Sequence, residues 1–203
     1  MTFIDLFCGI GGFRLGMERA GHKCVWSNDI DLHCAKIYEK NFREKPDTRS
    51  IRDVSVEEIP DHDILCGGFP CQAFSIAGKR KGFQDTRGTL FFEIARIIKA
   101  KKPSYLFLEN VEGLLFHDNG RTFKTIIATL NELGYDTQWM VLNSKDYGVP
   151  QSRERIFIVG HLRGKPRPRV FPIGRKNEEI QAVPQNQQDW RDIILSNGFS
   201  LFS

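Results

Sequence analysis

Long apolar runs are missing from this 203-residue sequence. None approaches the roughly 18 residues that a membrane-spanning helix needs, so no membrane partner is expected. Paired cysteines are missing too. The five present (Cys8, Cys24, Cys34, Cys66 and Cys71) form no Cys-x-x-Cys pair and are odd in number. That excludes a disulfide framework and the usual zinc spacing, and points to a reducing, cytoplasmic setting with no metal. There is no internal repeat, and Met1-Thr2-Phe3-Ile4-Asp5 lacks the basic start and long apolar core of a secretory leader. These first residues read directly as a strand.

What is present suits a globular domain with a full core: 40% hydrophobic and 27% charged residues. The net charge is only +4, but it is uneven. Lys79-Arg80-Lys81 form one basic cluster, and Arg163, Lys165, Arg167, Arg169, Arg175 and Lys176 form another with no acid between them. Charge alone leaves two readings open, a solvated face or contact with nucleic-acid phosphates.

Strand and helix patterns alternate from Met1 to Gly160. Phe3 to Phe7, Cys24 to Ser27, Asp63 to Cys66, Tyr105 to Leu108, Trp139 to Leu142 and Ile156 to Val159 read as buried strands. Leu90, Phe91, Ile94, Ile97 and Ile98 recur at helical spacing, as do Phe123, Ile126, Ile127, Leu130 and Leu133 before a capping Gly134. Such alternation calls for an α/β fold, a mostly parallel sheet with helices on both faces. Residues 1–162 are expected to form the ligand-binding, catalytic domain. Residues 163–203, basic and broken by Pro166, Pro168 and Pro172, read as a connector or the start of a second domain.

Two loops carry chemistry. Gly9-Ile10-Gly11-Gly12 follows the first strand and precedes a helix, where such sheets bind nucleotides. A tight turn without a ligand is the plain alternative; Asp29, at the end of the second strand and placed to accept from ribose hydroxyls, favours a nucleoside. Cys71 lies in Gly67-Gly68-Phe69-Pro70-Cys71-Gln72, a rigid loop at the ligand edge. A thiolate is a nucleophile only where something favours it. No histidine has a suitable context, so Arg153 and Arg155 are candidates to line the pocket. Glu109 leaves the next strand on a parallel exit, either as a cap for the following turn or as an acid facing Cys71.

Together these residues resemble the bacterial DNA cytosine-5 methyltransferases over about Thr2 to Gly160. Asp5 to Phe13 is similar to that family's first motif, Gly68 to Ser75 to its nucleophile loop, Glu109-Asn110-Val111 to its acid motif, and Gln151 to Arg155 to its basic motif. The resemblance implies a doubly wound, mostly parallel sheet of the S-adenosylmethionine-dependent methyltransferase (Rossmann-like) type. It implies an S-adenosyl-L-methionine pocket lined by Phe7, Gly9, Ile10, Gly11, Gly12, Asp29, Ile30, Ser50, Ile51, Gly68, Pro70 and Leu90. Phe7 would pack on the adenine and Asp29 would hold the ribose. It implies catalysis by Cys71, Glu109, Arg153 and Arg155 on a cytosine flipped out of double-stranded DNA. Gln72, Ser75, Lys79, Arg80 and Arg87 would contact the DNA, with Gly78 and Gly82 as hinges of a closing loop.

Two departures stand out. Ser50 occupies the position where the family usually has an aspartate contacting the adenine amino group. The family also continues into a target-recognition domain and a Gly-Asn-Ser-Val-type motif that this sequence does not match. The expectation is a cofactor pocket open on one side and a second subunit, or further sequence, carrying target recognition. An inactive catalytic half and a transfer-RNA cytosine-5 methyltransferase are the alternatives; a plain dinucleotide oxidoreductase fits the glycine spacing poorly.

Overall fold

A computed structural model describes residues 1–70, 90–166 and 168–171. Cys71, Gln72, Ser75, Lys79, Arg80 and Arg87, and the stretch 172–203, lie outside the described residues.

In chain order the elements are β1 (Thr2–Leu6), α1 (Gly12–Arg19), β2 (Lys23–Asn28), α2 (Leu32–Phe42), β3 (Ile64–Gly68), α3 (Leu90–Lys101), β4 (Tyr105–Val111), α4 (Arg121–Glu132), β5 (Tyr135–Asn143) and β6 (Glu154–Leu162). Short 3-10 turns, Glu112–Leu115 and Ser144–Tyr147, follow β4 and β5. The six strands form one sheet in the order β2-β1-β3-β4-β6-β5. The pairs β2–β1, β1–β3 and β3–β4 are parallel, whereas β6 runs antiparallel to both β4 and β5. The reversal follows from the connection: the ten residues 144–153 make a return loop too short for a parallel crossover.

Alternation along the strands splits the interior in two. Ile4, Leu6, Leu65, Leu106, Leu108, Ile156 and Ile158 face one way, onto Phe91, Ile94, Ile97 and Ile98 of α3 and Phe123, Ile126, Ile127 and Leu130 of α4. Both helices present apolar residues at three- and four-residue spacing, and each fully buried aliphatic side chain contributes about 1.5–3 kcal/mol. The crossing from α2 to β3 seals this face with Ile51, Val54 and Ile59. On the other face Phe3, Cys24, Ile64 and Cys66 pack against Phe13 and Met17 of α1 and the half-buried Tyr105 and Phe107. Burial pushes the thiols of Cys8 and Cys66 well up, and that of Cys24 to about 11, so they are small inert hydrophobes.

Beyond β6 the chain stays on the sheet. The Gln138 side chain accepts from the Val170 N–H and donates to the Pro168 carbonyl, at 3.2 and 3.3 Å, and Phe171 is buried. Among the described residues no helix is long and apolar enough to cross a membrane.

Candidate active site

Four parallel strands deliver their carboxyl ends to one edge. β1 has β2 on one side and β3 on the other, which makes that edge a topological switch point, where open α/β sheets bind ligands. Antiparallel β6 begins at the same edge, so Arg155 is brought opposite Val111 at the end of β4.

The loop after β1 is built from left-handed backbone: Phe7 (φ 55°), Gly9 (φ 54°) and Gly11 (φ 96°). At Gly11 a Cβ would lie 2.0 Å from Cε2 of Phe42, so only glycine fits. At Gly9 and Gly12 a Cβ would meet nothing within 4 Å, which leaves open space over the start of α1. The Asp29 carboxylate closes the loop by accepting from the Gly9 N–H at 2.7 Å and the Asp31 N–H at 2.9 Å. Ile10 and Ile30 flank it with apolar side chains 55% and 67% exposed. Beneath, the buried Arg14 guanidinium sits 4.7 Å from the Phe42 ring centroid and pairs with Glu18 and Glu44, each at 2.8 Å. Asp5 is wholly buried, and neither carboxyl oxygen has a well-formed hydrogen bond among the described residues. Burial raises its pKa to about 8, and the Arg14 backbone and charge offset only part of that rise.

The other half of the edge lies on β3, β4 and β6. Gly68 is the register partner of Glu109, and a Cβ there would stand 3.0 Å from Glu109 Oε2. Absence of a side chain at Gly68 gives the carboxylate its place. Glu109 Oε1 is 2.8 Å from Arg155 Nε. Burial raises the Glu109 pKa, while Arg155 and then Arg153 act to lower it. The carboxyl is thus partly desolvated with a cation at its side. Val111, not Glu109, caps the turn Glu112–Leu115, so the cap reading of Glu109 is set aside.

The structure brings together Phe7, Gly9, Ile10, Gly11, Gly12, Asp29, Ile30, Gly68, Pro70, Glu109, Arg153 and Arg155 at this edge. Ser50 is half-buried, and its carbonyl accepts from the Asp53 N–H at 2.9 Å. The Ile51 side chain is in the core, which leaves only its backbone for a ligand. Leu90 begins α3 and is half-buried against the core. Sequence reasoning passed over three supports. Phe42 and Arg14 brace the glycine loop, and buried Asn110 donates from Nδ2 to the Phe69 carbonyl at 2.8 Å, fixing the exit towards Cys71. A polar residue closing an apolar strand was the available signal.

Fold and edge define an α/β protein with a nucleoside-type loop beside a carboxylate–guanidinium pair. The family model of the C-5 cytosine-specific DNA methylases matches residues 1–197, and the chain belongs to that family. It is 56% identical over 159 residues to the type II methyltransferase M.HhaI of Haemophilus parahaemolyticus, covering 78% of this chain and 48% of that protein. It is 53% identical over 196 residues to the type II methyltransferase M.HaeII of Haemophilus aegyptius, covering 97% of this chain and 60% of the relative. The chain therefore spans about half the length of the curated relatives it matches. Among solved structures, the S. pombe Dnmt2 methyltransferase superposes with a TM-score of 0.65 at 23% identity, over 82% of this chain and 52% of that one. That likeness shows the fold alone. A Spodoptera frugiperda DNMT2 variant gives 0.66 at 25% identity, over 87% and 53%.

Proposed function

We propose that this chain carries out the transfer of a methyl group to C5 of a flipped-out cytosine in double-stranded DNA, with S-adenosyl-L-methionine as donor. The observation that carries the reading is the Glu109–Arg155 pair seated over Gly68, three residues before Cys71 in the chain. The glycine loop fits the donor: open space at Gly9 and Gly12 admits a ligand to the backbone, Ile10 and Ile30 offer apolar contact, and each Asp29 oxygen keeps a lone pair for a ribose hydroxyl. Phe7 would pack on the adenine; Ser50, the Ile51 backbone, Gly68, Pro70 and Leu90 complete the proposed lining.

When bound, the donor supplies an electrophilic methyl group. Cys71 as thiolate adds to C6 of the cytosine, which makes C5 electron-rich. Glu109, whose pKa burial raises, binds the N3 and amino edge and offsets charge as the ring becomes enamine-like. Arg155 contacts the O2 edge and Arg153 supports it. C5 would take the methyl group as the donor's sulfonium sulfur leaves as a neutral thioether, and loss of the C5 proton to a base then allows the Cys71–C6 bond to break. Gln72, Ser75, Lys79, Arg80 and Arg87 are assigned to DNA contact, and the setting to the cytoplasm.

The alternative reading is that catalysis needs a further segment carrying target recognition, in the same gene or on a second subunit. A transfer-RNA substrate is not favoured, since relatives more than 50% identical are type II methyltransferases. Methyl incorporation into duplex DNA, compared for wild type and Glu109→Gln, tests the proposal. A loss of about a hundredfold or more is expected. Equal incorporation by the two would refute it.

A further inference from the structure

Asn143 closes β5 and is buried, yet no step above uses it. Its Oδ1 accepts from two backbone donors, the Lys145 N–H at 3.2 Å and the Arg153 N–H at 3.1 Å. Those bonds fix which way the amide points. Nδ2 therefore faces Ser152 Oγ at 3.1 Å and Glu154 Oε1 at 3.3 Å. One side chain thus ties the end of β5 to three consecutive residues, Ser152, Arg153 and Glu154. The return loop has further ties, the Ser144 N–H to the Arg153 carbonyl at 3.1 Å and the Ser144 hydroxyl to the Gln151 carbonyl at 2.5 Å. Among the described residues, the Asn143 side chain is the one that bonds on both sides of Arg153.

We propose that Asn143 is a positioning residue that holds the Arg153–Arg155 segment against Glu109. The catalytic meaning of the contact rests on the function proposed above; the contact itself does not. Arg155 is one residue beyond Glu154, reaches Glu109 at 2.8 Å, and is held in turn by donating to the Glu154 carbonyl at 2.6 Å. Among the described residues, the charged groups that bear on Glu109 are Arg155 and Arg153, while β3 offers it Gly68 and α1 brings Phe13 to the Gly68 position. The Glu112 carboxyl nearby is engaged with Glu154. Arg155 stays in the ladder with β4 and β5, so loss of the Asn143 amide loosens Ser152 to Glu154, the turn that carries Arg153 and leads into Arg155. Mutation of a residue that touches neither substrate nor Glu109 then changes how Glu109 titrates.

The test is a carbon-13 NMR titration of glutamate side-chain carboxyls in the full chain, with the Glu109 signal assigned by its loss in Glu109→Gln. Arg155→Ala should raise the Glu109 midpoint by about one to three pH units, the usual effect of removing an adjacent cation. Asn143→Ala should raise it by a smaller amount, about one unit, and the double variant should rise by less than the sum of the two. Asn143→Ser keeps an oxygen near the Lys145 N–H but cannot span to Arg153, so it should act like Asn143→Ala while protecting the fold. A Glu109 midpoint unchanged in Asn143→Ala or Asn143→Ser, with only thermal stability reduced, would make Asn143 a mere loop staple and overturn the proposal. Strictly additive shifts would overturn it as well. No turnover is needed, so failure of the proposed methyl transfer and failure of this inference are separate results.

Discussion

The two faces of the sheet are built on different terms. Under α3 and α4, the interior is aliphatic and aromatic from Ile4 to Ile158. On the other face the strands hold the buried carboxyl of Asp5 and, at the edge, the Glu109–Arg155 pair, and α1 adds the buried guanidinium of Arg14. One face supplies burial free energy, and the other spends part of it on desolvated charge. A rigid apolar layer is what allows costly polar groups to sit within tenths of an ångström of their working places.

Substitutions should separate the faces. The largest effect is expected from Ile98→Ala or Leu130→Ala on the sealed side: about 2–5 kcal/mol lost in urea denaturation, with cofactor affinity per folded molecule unchanged. Next comes Asp5. The folded chain keeps its proton up to about pH 8 while the unfolded chain releases it near 3.8. Between those values the folded state binds more protons, so stability falls as pH rises and levels off above pH 8. Asp5→Asn should flatten that slope and be more stable than wild type at pH 8; an unchanged slope would place the titration elsewhere. Gly11→Ala should cost about 1–3 kcal/mol through its positive φ and the Phe42 contact, and cofactor binding measured by calorimetry should be lost with it. The smallest effect belongs to Asp136→Asn, whose pair with Arg163 at 3.1 Å is largely solvated, with less than about 1 kcal/mol expected in the same denaturation assay.

Much of this was legible in the sequence, for physical reasons. Strands buried on both faces read as apolar runs, and α3 and α4 as helical repeats, because the sealed face demands them. The glycine loop, Asp29 and Glu109 were legible because each lies at a strand exit. Three things were not. The place of β6 between β4 and β5 is a non-local pairing that no local pattern states, although its reversed direction follows from the short return loop. The Glu109–Arg155 contact joins strands that are neighbours only once β6 inserts between β4 and β5. The bracing of Gly11 by Phe42 and Arg14 depends on α2 folding back under the loop, which no local pattern states.

The most direct measurement is covalent trapping on duplex DNA containing 5-fluorocytosine with S-adenosyl-L-methionine, comparing wild type with Cys71→Ala. Fluorine at C5 blocks the final elimination, so a competent enzyme remains attached. The account predicts a methylated protein–DNA adduct in wild type and none in Cys71→Ala. Absence of adduct from a folded wild-type chain, or an adduct that survives loss of Cys71, would contradict it.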